Sequence, residues 1–196
     1  MNRLLFLCAL LLAACTNPND LDRAPADLGA FRLGYVTVVA PGLTKGPFSR
    51  SATEEEWITA MTGAIEERFG RYEGDQFYHI AISLEGYALA RAGIPVVAAP
   101  KSALLLKVTI WEDSTAAKLN AEPHLVTAME TLSGKVLVGS GLTQNRNQQM
   151  RNLVRNAAKL VENWMRVQHR KQGWFRDTGP VPPALSAVPS AVPAGE

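Results

Sequence analysis

Between about Asn145 and Arg170, Met150, Val154, Ala157, Val161 and Trp164 recur at three- and four-residue steps, with Leu153 and Leu160 beside them. At about 100° per residue they gather into a single apolar stripe. A helix of this kind buries one side only, so it needs a second layer to pack against. The rest of the chain must supply that layer.

It does so with strand patterns. Leu33 to Ala40 is rich in β-branched and aromatic residues and stops at Pro41-Gly42, which predicts a strand. Tyr78, Ile80, Ile82 and Leu84 alternate with His79, Ala81 and Ser83, the period of a half-buried strand. The stretch Glu85–Gly93 fits strand and helical periods, and is read as strand. Leu104, Leu106, Val108 and Ile110 form another strand ending at Trp111-Glu112-Asp113. Leu125, Thr127, Met129 and Thr131 give a further one, and Ser133-Gly134 predicts a turn into a short strand at Lys135–Gly139. Pro95–Pro100 is expected to be extended.

A second helix is predicted after the first strand. Thr53 and Glu56 have capping-box spacing, and Glu54, Glu55 and Glu56 sit where the helix dipole favours negative charge. Ile58, Met61, Ile65 and Phe69 continue at helical steps to Gly70, a C-cap residue. Three adjacent carboxylates point in three directions, so the triplet reads as capping and not as a metal site. The fold class that follows is α+β, with an antiparallel sheet of about four to five strands packed against two amphipathic helices.

The N-terminus carries a different kind of signal. Met1-Asn2-Arg3 precedes the apolar run Leu4–Ala14, the plan of a signal peptide. Eleven residues of helix reach roughly 16 Å, about half of the ~30 Å hydrocarbon core. The string Leu12-Ala13-Ala14-Cys15 resembles the lipobox of bacterial lipoprotein precursors at all four positions. The resemblance implies cleavage before Cys15, a diacylglycerol on its thiol and an acyl chain on its freed amine, enough for stable anchoring. In the best-studied Gram-negative lipoproteins an Asp directly after the cysteine retains the protein at the inner membrane. Here the position is Thr16, which implies a lipid-anchored outer-membrane location with the domain facing the periplasm. The expected organisation is therefore signal peptide 1–14, lipidated tether 15–30, one domain 31–176, and a Pro- and Ala-rich tail 177–196.

Removing the signal peptide takes Cys8 and Arg3 with it, and the formal charge falls from +2 to +1. Cys15 is then the only cysteine, which leaves no disulfide and no cysteine-based metal site. The near-neutral balance and the compartment speak against nucleic acid as a partner. His79, His124 and His169 lie apart with no paired spacing, and Gly139-Ser140-Gly141 matches neither a phosphate loop nor a nucleophile elbow. Glu112 and Asp113 read as a solubilised turn. The chain is expected to be no enzyme and to need no cofactor.

One charged feature stands out. Arg151, Arg155, Lys159, Arg166 and Arg170 occupy the sector of the last helix opposite its apolar stripe, with Glu162 among them. On a lipid-tethered domain such a row is a candidate contact for anionic lipid or lipopolysaccharide phosphate. Pro100-Lys101-Ser102 leading into Leu104–Ile110 and Trp111-Glu112-Asp113 resembles a group of Gram-negative lipoproteins known only as a domain of unknown function. That resemblance implies a class and no site. The expected role is a membrane-anchored binding or assembly module with an envelope protein partner. A carrier of a lipid or other apolar ligand is the alternative. A groove lined by Leu104, Leu106, Trp164 and Met165 would suit the carrier; a filled core beside an exposed apolar patch would suit assembly.

Overall fold

The computed structural model describes residues 19–90, 102–130 and 145–176. Strand β1 (Phe31–Val39) and the short β2 (Thr44–Lys45) precede helix α1 (Glu54–Phe69). Strands β3 (Gln76–Ala88), β4 (Ala103–Glu112), β5 (Ala117–Lys118) and β6 (His124–Met129) follow, then helix α2 (Arg146–Gln172). All six strands form one sheet in which β3 and β4 are central. The class is the α+β class expected, with six strands instead of four to five. The expected turn at Ser133-Gly134, the strand Lys135–Gly139 and the extended Pro95–Pro100 lie outside the described residues.

The sheet is mostly antiparallel, as β3–β4 and β4–β6 pair, but β1 and β2 both run parallel to β3. The cause is α1: a helix between β1 and β3 carries the chain back to the end where it started, so the next strand runs the same way. Strand β3 extends through Ala88, covering the first part of the ambiguous segment after Leu84, and its register slips between Leu84 and Gly86. The short β2 and β5 have no periodic pattern to announce them.

Both helices start as their caps dictate. The Thr53 side chain accepts from the Glu56 backbone while the Glu56 carboxylate takes the Thr53 N–H, a complete capping box. Asn145 and Gln148 repeat the arrangement at α2. Helix α2 ends at Gly173, whose left-handed φ of 72° turns the chain back. Trp174 and Phe175 then fold against the core. Phe175 packs edge-on to Phe31 and Tyr78, at 5.2 and 4.8 Å between ring centroids, and its carbonyl accepts from Ala30 N–H at 2.8 Å.

The core lies between the helices and one face of the sheet. Ile80, Ile82, Leu84, Leu104, Leu106, Val108 and Ile110 point into it from the central strands, meeting Trp57, Met61, Ile65 and Phe69 from α1. Val126 and Ala128 turn inward from β6, and Ala157 and Ala158 let α2 approach closely.

A charged cluster sits inside this layer. Arg68 of α1 and Glu162 of α2 are each almost fully buried and bond at 3.0 Å. The other Glu162 oxygen accepts from Tyr72 at 2.8 Å and lies 3.5 Å from Arg71, while Lys159 reaches Glu162 at 2.7 Å. Asp20, ahead of the first strand, joins by bonding Arg68 at 2.9 Å and Lys159 at 2.6 Å. Arg71 also donates to the carbonyls of Leu21 and Arg23. Residues 20–30, expected as tether, are thus held against the domain, and Leu28 is buried in the core. The reason is charge compensation, because a buried guanidinium, ammonium and carboxylate need partners that α1 and α2 alone do not provide.

Burial by itself raises the Asp20 carboxyl, but the hydrogen bonds and charges of Lys159 and Arg68 outweigh it and hold the group at about 2. Burial and the neighbouring Glu162 push the Tyr72 hydroxyl far up, so it stays a donor. An Asp depressed in the folded state stabilises fully above its unfolded pKa of about 3.9, and that contribution is lost as pH falls from about 4 toward 2. Thermal midpoints measured through this window should fall less in Asp20→Asn than in the parent. Glu162→Leu, which strips Arg68 of its buried partner, should cost about 3 kcal/mol in urea denaturation, and Arg68→Leu in the same chain should restore part of it.

Candidate functional site

The face of the sheet turned away from the helices is covered by no described element. Alternation along each strand decides what it presents. From β1 come Arg32, Tyr35, Thr37 and Val39; from β3, Phe77, His79, Ala81, Ser83 and Glu85. Strand β4 adds Leu105, Lys107, Thr109 and Trp111, and β6 adds Leu125, Thr127 and Met129. Of the six exposed large apolar side chains among the described residues, five lie on this face: Tyr35, Val39, Phe77, Leu125 and Met129. The sixth, Phe48, is in a loop. The five are spread over both edges and both ends of the face, with Val39 and Leu125 in one row separated by Ser83 and Lys107, and they make this face the candidate interaction surface of the domain.

The face is spaced by polar groups. Lys107 pairs with Glu85 at 3.2 Å, Arg32 lies over the Phe77 ring at 5.6 Å, and Lys118 over Trp111 at 5.2 Å. A shallow depression of about 330 Å³ runs between Thr37, Val39, Ala81, Ser83, Lys107 and Thr109.

At one end His79 ties two strands and a turn together. The Tyr35 backbone N–H donates to Nδ1 at 2.9 Å, which fixes the tautomer, and Nε2–H donates to Asp113 Oδ1 at 2.9 Å. Both ring nitrogens are committed, so in this arrangement the imidazole has no free lone pair with which to abstract a proton. The ring also fills the space beside Gly34, where β1 bulges: a Cβ there would stand 2.5 Å from Nδ1. Glu112 accepts from Thr115 and shares no site with Asp113.

The five cations of α2 separate into two sets. Lys159 is drawn into the buried cluster, and Arg155 makes a two-pronged pair with Glu67 of α1 at 3.0 and 2.7 Å. Arg151, Arg166 and Arg170 are exposed. Arg151 borders a groove of about 440 Å³ between the N-terminal halves of the helices, with Glu55, Thr59 and Met150. The single basic row therefore becomes three exposed arginines, because Glu67 and Asp20 reach Arg155 and Lys159 from distant segments and Glu162 joins Lys159 from the same helix. Cys15 lies outside the described residues.

The residues expected to line an acyl-chain groove divide: three are packed in the core, while Trp164 borders an open pocket of about 560 Å³ with His124, Gln168 and Trp174. Leu104, Leu106 and Met165 are fully buried core residues, and Trp164 stacks on His124 with centroids 4.2 Å apart. Among the described residues no cluster of His, Cys, Asp and Glu could hold a metal ion, and no helix is long and apolar enough to cross a membrane.

No protein-family model matches the chain, and no curated protein does. Solved structures similar to it include proteins of Gram-negative bacteria described as lipoproteins. A Xanthomonas campestris protein of the family DUF330 has a TM-score of 0.43 at 13% identity, covering 72% of this chain and 87% of that one. A candidate lipoprotein from Caulobacter crescentus gives 0.37 at 9%, covering 69% and 91%. A minor lipoprotein from Acinetobacter baumannii gives 0.25 at 17%, covering 68% and 90%. Likeness at this level decides neither family nor role.

The His79 arrangement is open to a direct check. Gly34→Ala should lower the thermal midpoint by several degrees in the parent and by clearly less in His79→Ala, a coupling that a double-mutant cycle measures.

Proposed function

We propose that this protein is a non-catalytic envelope lipoprotein, held to a membrane through lipid on Cys15, that assembles with another envelope protein through the open face of its sheet. The observation that carries the reading is the placement of Tyr35, Val39, Phe77, Leu125 and Met129 on one face of the sheet, which no described element covers. A core already filled between sheet and helices supports assembly over carriage of an apolar ligand. The lipobox Leu12-Ala13-Ala14-Cys15 supplies the anchor, and Thr16 supports the outer membrane.

The face is the right kind of surface for a protein partner. Aromatic and Met side chains are enriched at the centres of interfaces, and polar groups such as Arg32, Lys107 and Glu85 set orientation. In-cell crosslinking followed by purification from membranes tests both halves. Cys15→Ser should move the protein from the membrane to the soluble fraction. Phe77→Asp with Leu125→Asp should abolish the crosslinked partner while shifting stability by only about 0.5 kcal/mol, as expected of exposed positions. A partner retained by the double variant would refute this face as the docking surface.

A further inference from the structure

The carboxylate of Asp20 bridges the two helices, Oδ1 to Arg68 of α1 and Oδ2 to Lys159 of α2. The carbonyls of Leu21 and Arg23 are then taken by Arg71 at 3.0 and 2.9 Å. From Asp20 onward the chain is fastened to the helix layer, on the side of the sheet opposite the open face. Cys15 lies five residues earlier. Five residues of fully extended chain reach about 17 Å at most.

That length discriminates between two ways of sitting on a bilayer. With the open sheet face down, Asp20 would stand off by the sheet and part of the helix layer in which it is set, roughly 15 Å given a helix diameter of 10–12 Å and a layer spacing near 10 Å. Most of the leash would be spent on height, with little left to pass around the edge of the domain. With the helices down, the same leash is ample.

We infer that the lipid anchor and the Asp20 clamp together orient the domain, with the α1–α2 layer against an anionic phospholipid surface and the open sheet face directed away from it. This rests on the anchor proposed above. Charge on the layer is divided, with Glu54, Glu55 and Glu66 exposed on α1 and the cations on α2 lying near the leash. Arg166 follows Lys159 by seven residues, two helical turns along the same side, and is exposed, as is Arg170. The two-pronged bond from Arg155 neutralises Glu67 on the neighbouring helix. The partner surface is thereby presented to the aqueous side instead of competing with lipid.

The mature chain has Cys15 as its only cysteine, so an introduced cysteine is a unique free thiol once Cys15 is acylated. The acylated full chain, carrying a nitroxide at Arg166→Cys or at Leu125→Cys, is reconstituted into phosphatidylethanolamine–phosphatidylglycerol vesicles bearing a gadolinium headgroup. Salt is kept high to screen surface charge. Relaxation enhancement at position 166 should exceed that at 125 several-fold, and inserting ten Gly and Ser residues between Pro18 and Asn19 should bring the two toward equality. Equal or stronger enhancement at 125 in the acylated protein overturns the orientation and leaves the anchor standing. So does a ratio that the insertion does not change. An intact mass without acyl chains overturns anchor and orientation together. Thermal midpoints matching the parent confirm that the labelled chains are folded.

Discussion

A guanidinium facing a carboxylate in the interior, Arg68 against Glu162, sets the terms for everything around it. Two such groups taken out of water are costly unless every remaining donor and lone pair is matched, and the matching here recruits Tyr72, Arg71, Lys159 and Asp20. An apolar contact between two helices would tolerate sliding by a turn. This one does not, since a shift of α2 along α1 would leave Glu162 without its partners. The cluster therefore fixes helix register and draws the N-terminal segment into the domain.

With the helices fixed on one side, the sheet divides into two chemically different faces. The inner one is closed by aliphatic side chains and, at one end, by the aromatic group Phe31, Phe69, Tyr72, Tyr78 and Phe175. Burial and the Glu112 carboxylate push the Tyr78 hydroxyl up to about 12, in keeping with a ring set into this group. The outer face keeps large apolar residues in view but breaks them up with Arg32, Lys107 and Glu85, and β1 is bent by the bulge at Gly34. Interspersed charge and an edge bulge are ways of keeping an exposed sheet from pairing with copies of itself.

Much of this was legible in the chain. The capping box at Thr53, the start of the second helix at Asn145 and the alternation through Tyr78–Leu84 and Leu104–Ile110 are local signals, and local signals survive folding. What stayed hidden depends on distant partners. Nothing near Phe31–Val39 states that it will pair parallel to β3, and Arg68 and Glu162 are 94 residues apart. The cations of α2 read as one free row because Asp20 and Glu67 lie far from them in sequence. In β6 the alternation was visible, but the small Val126 and Ala128 turn inward and the larger Leu125 and Met129 outward, so the exposed surface was carried by residues that size alone would assign to the core.

The ion pairs Glu56–Arg146, Glu67–Arg155 and Arg68–Glu162 ascend both helices in the same sense, so α1 and α2 run parallel. Parallel helices bring two positive dipole ends together, each equivalent to roughly half a unit charge. Helix α1 answers with Glu54, Glu55 and Glu56 in its first turn, whereas α2 has no acid in its own. The bond from Arg146 holds the Glu56 carboxyl below the usual range, so that group remains ionised beside both ends. One carboxylate thus caps its own helix and supplies the counter-charge its neighbour lacks, making the first turns of the two helices a single electrostatic unit.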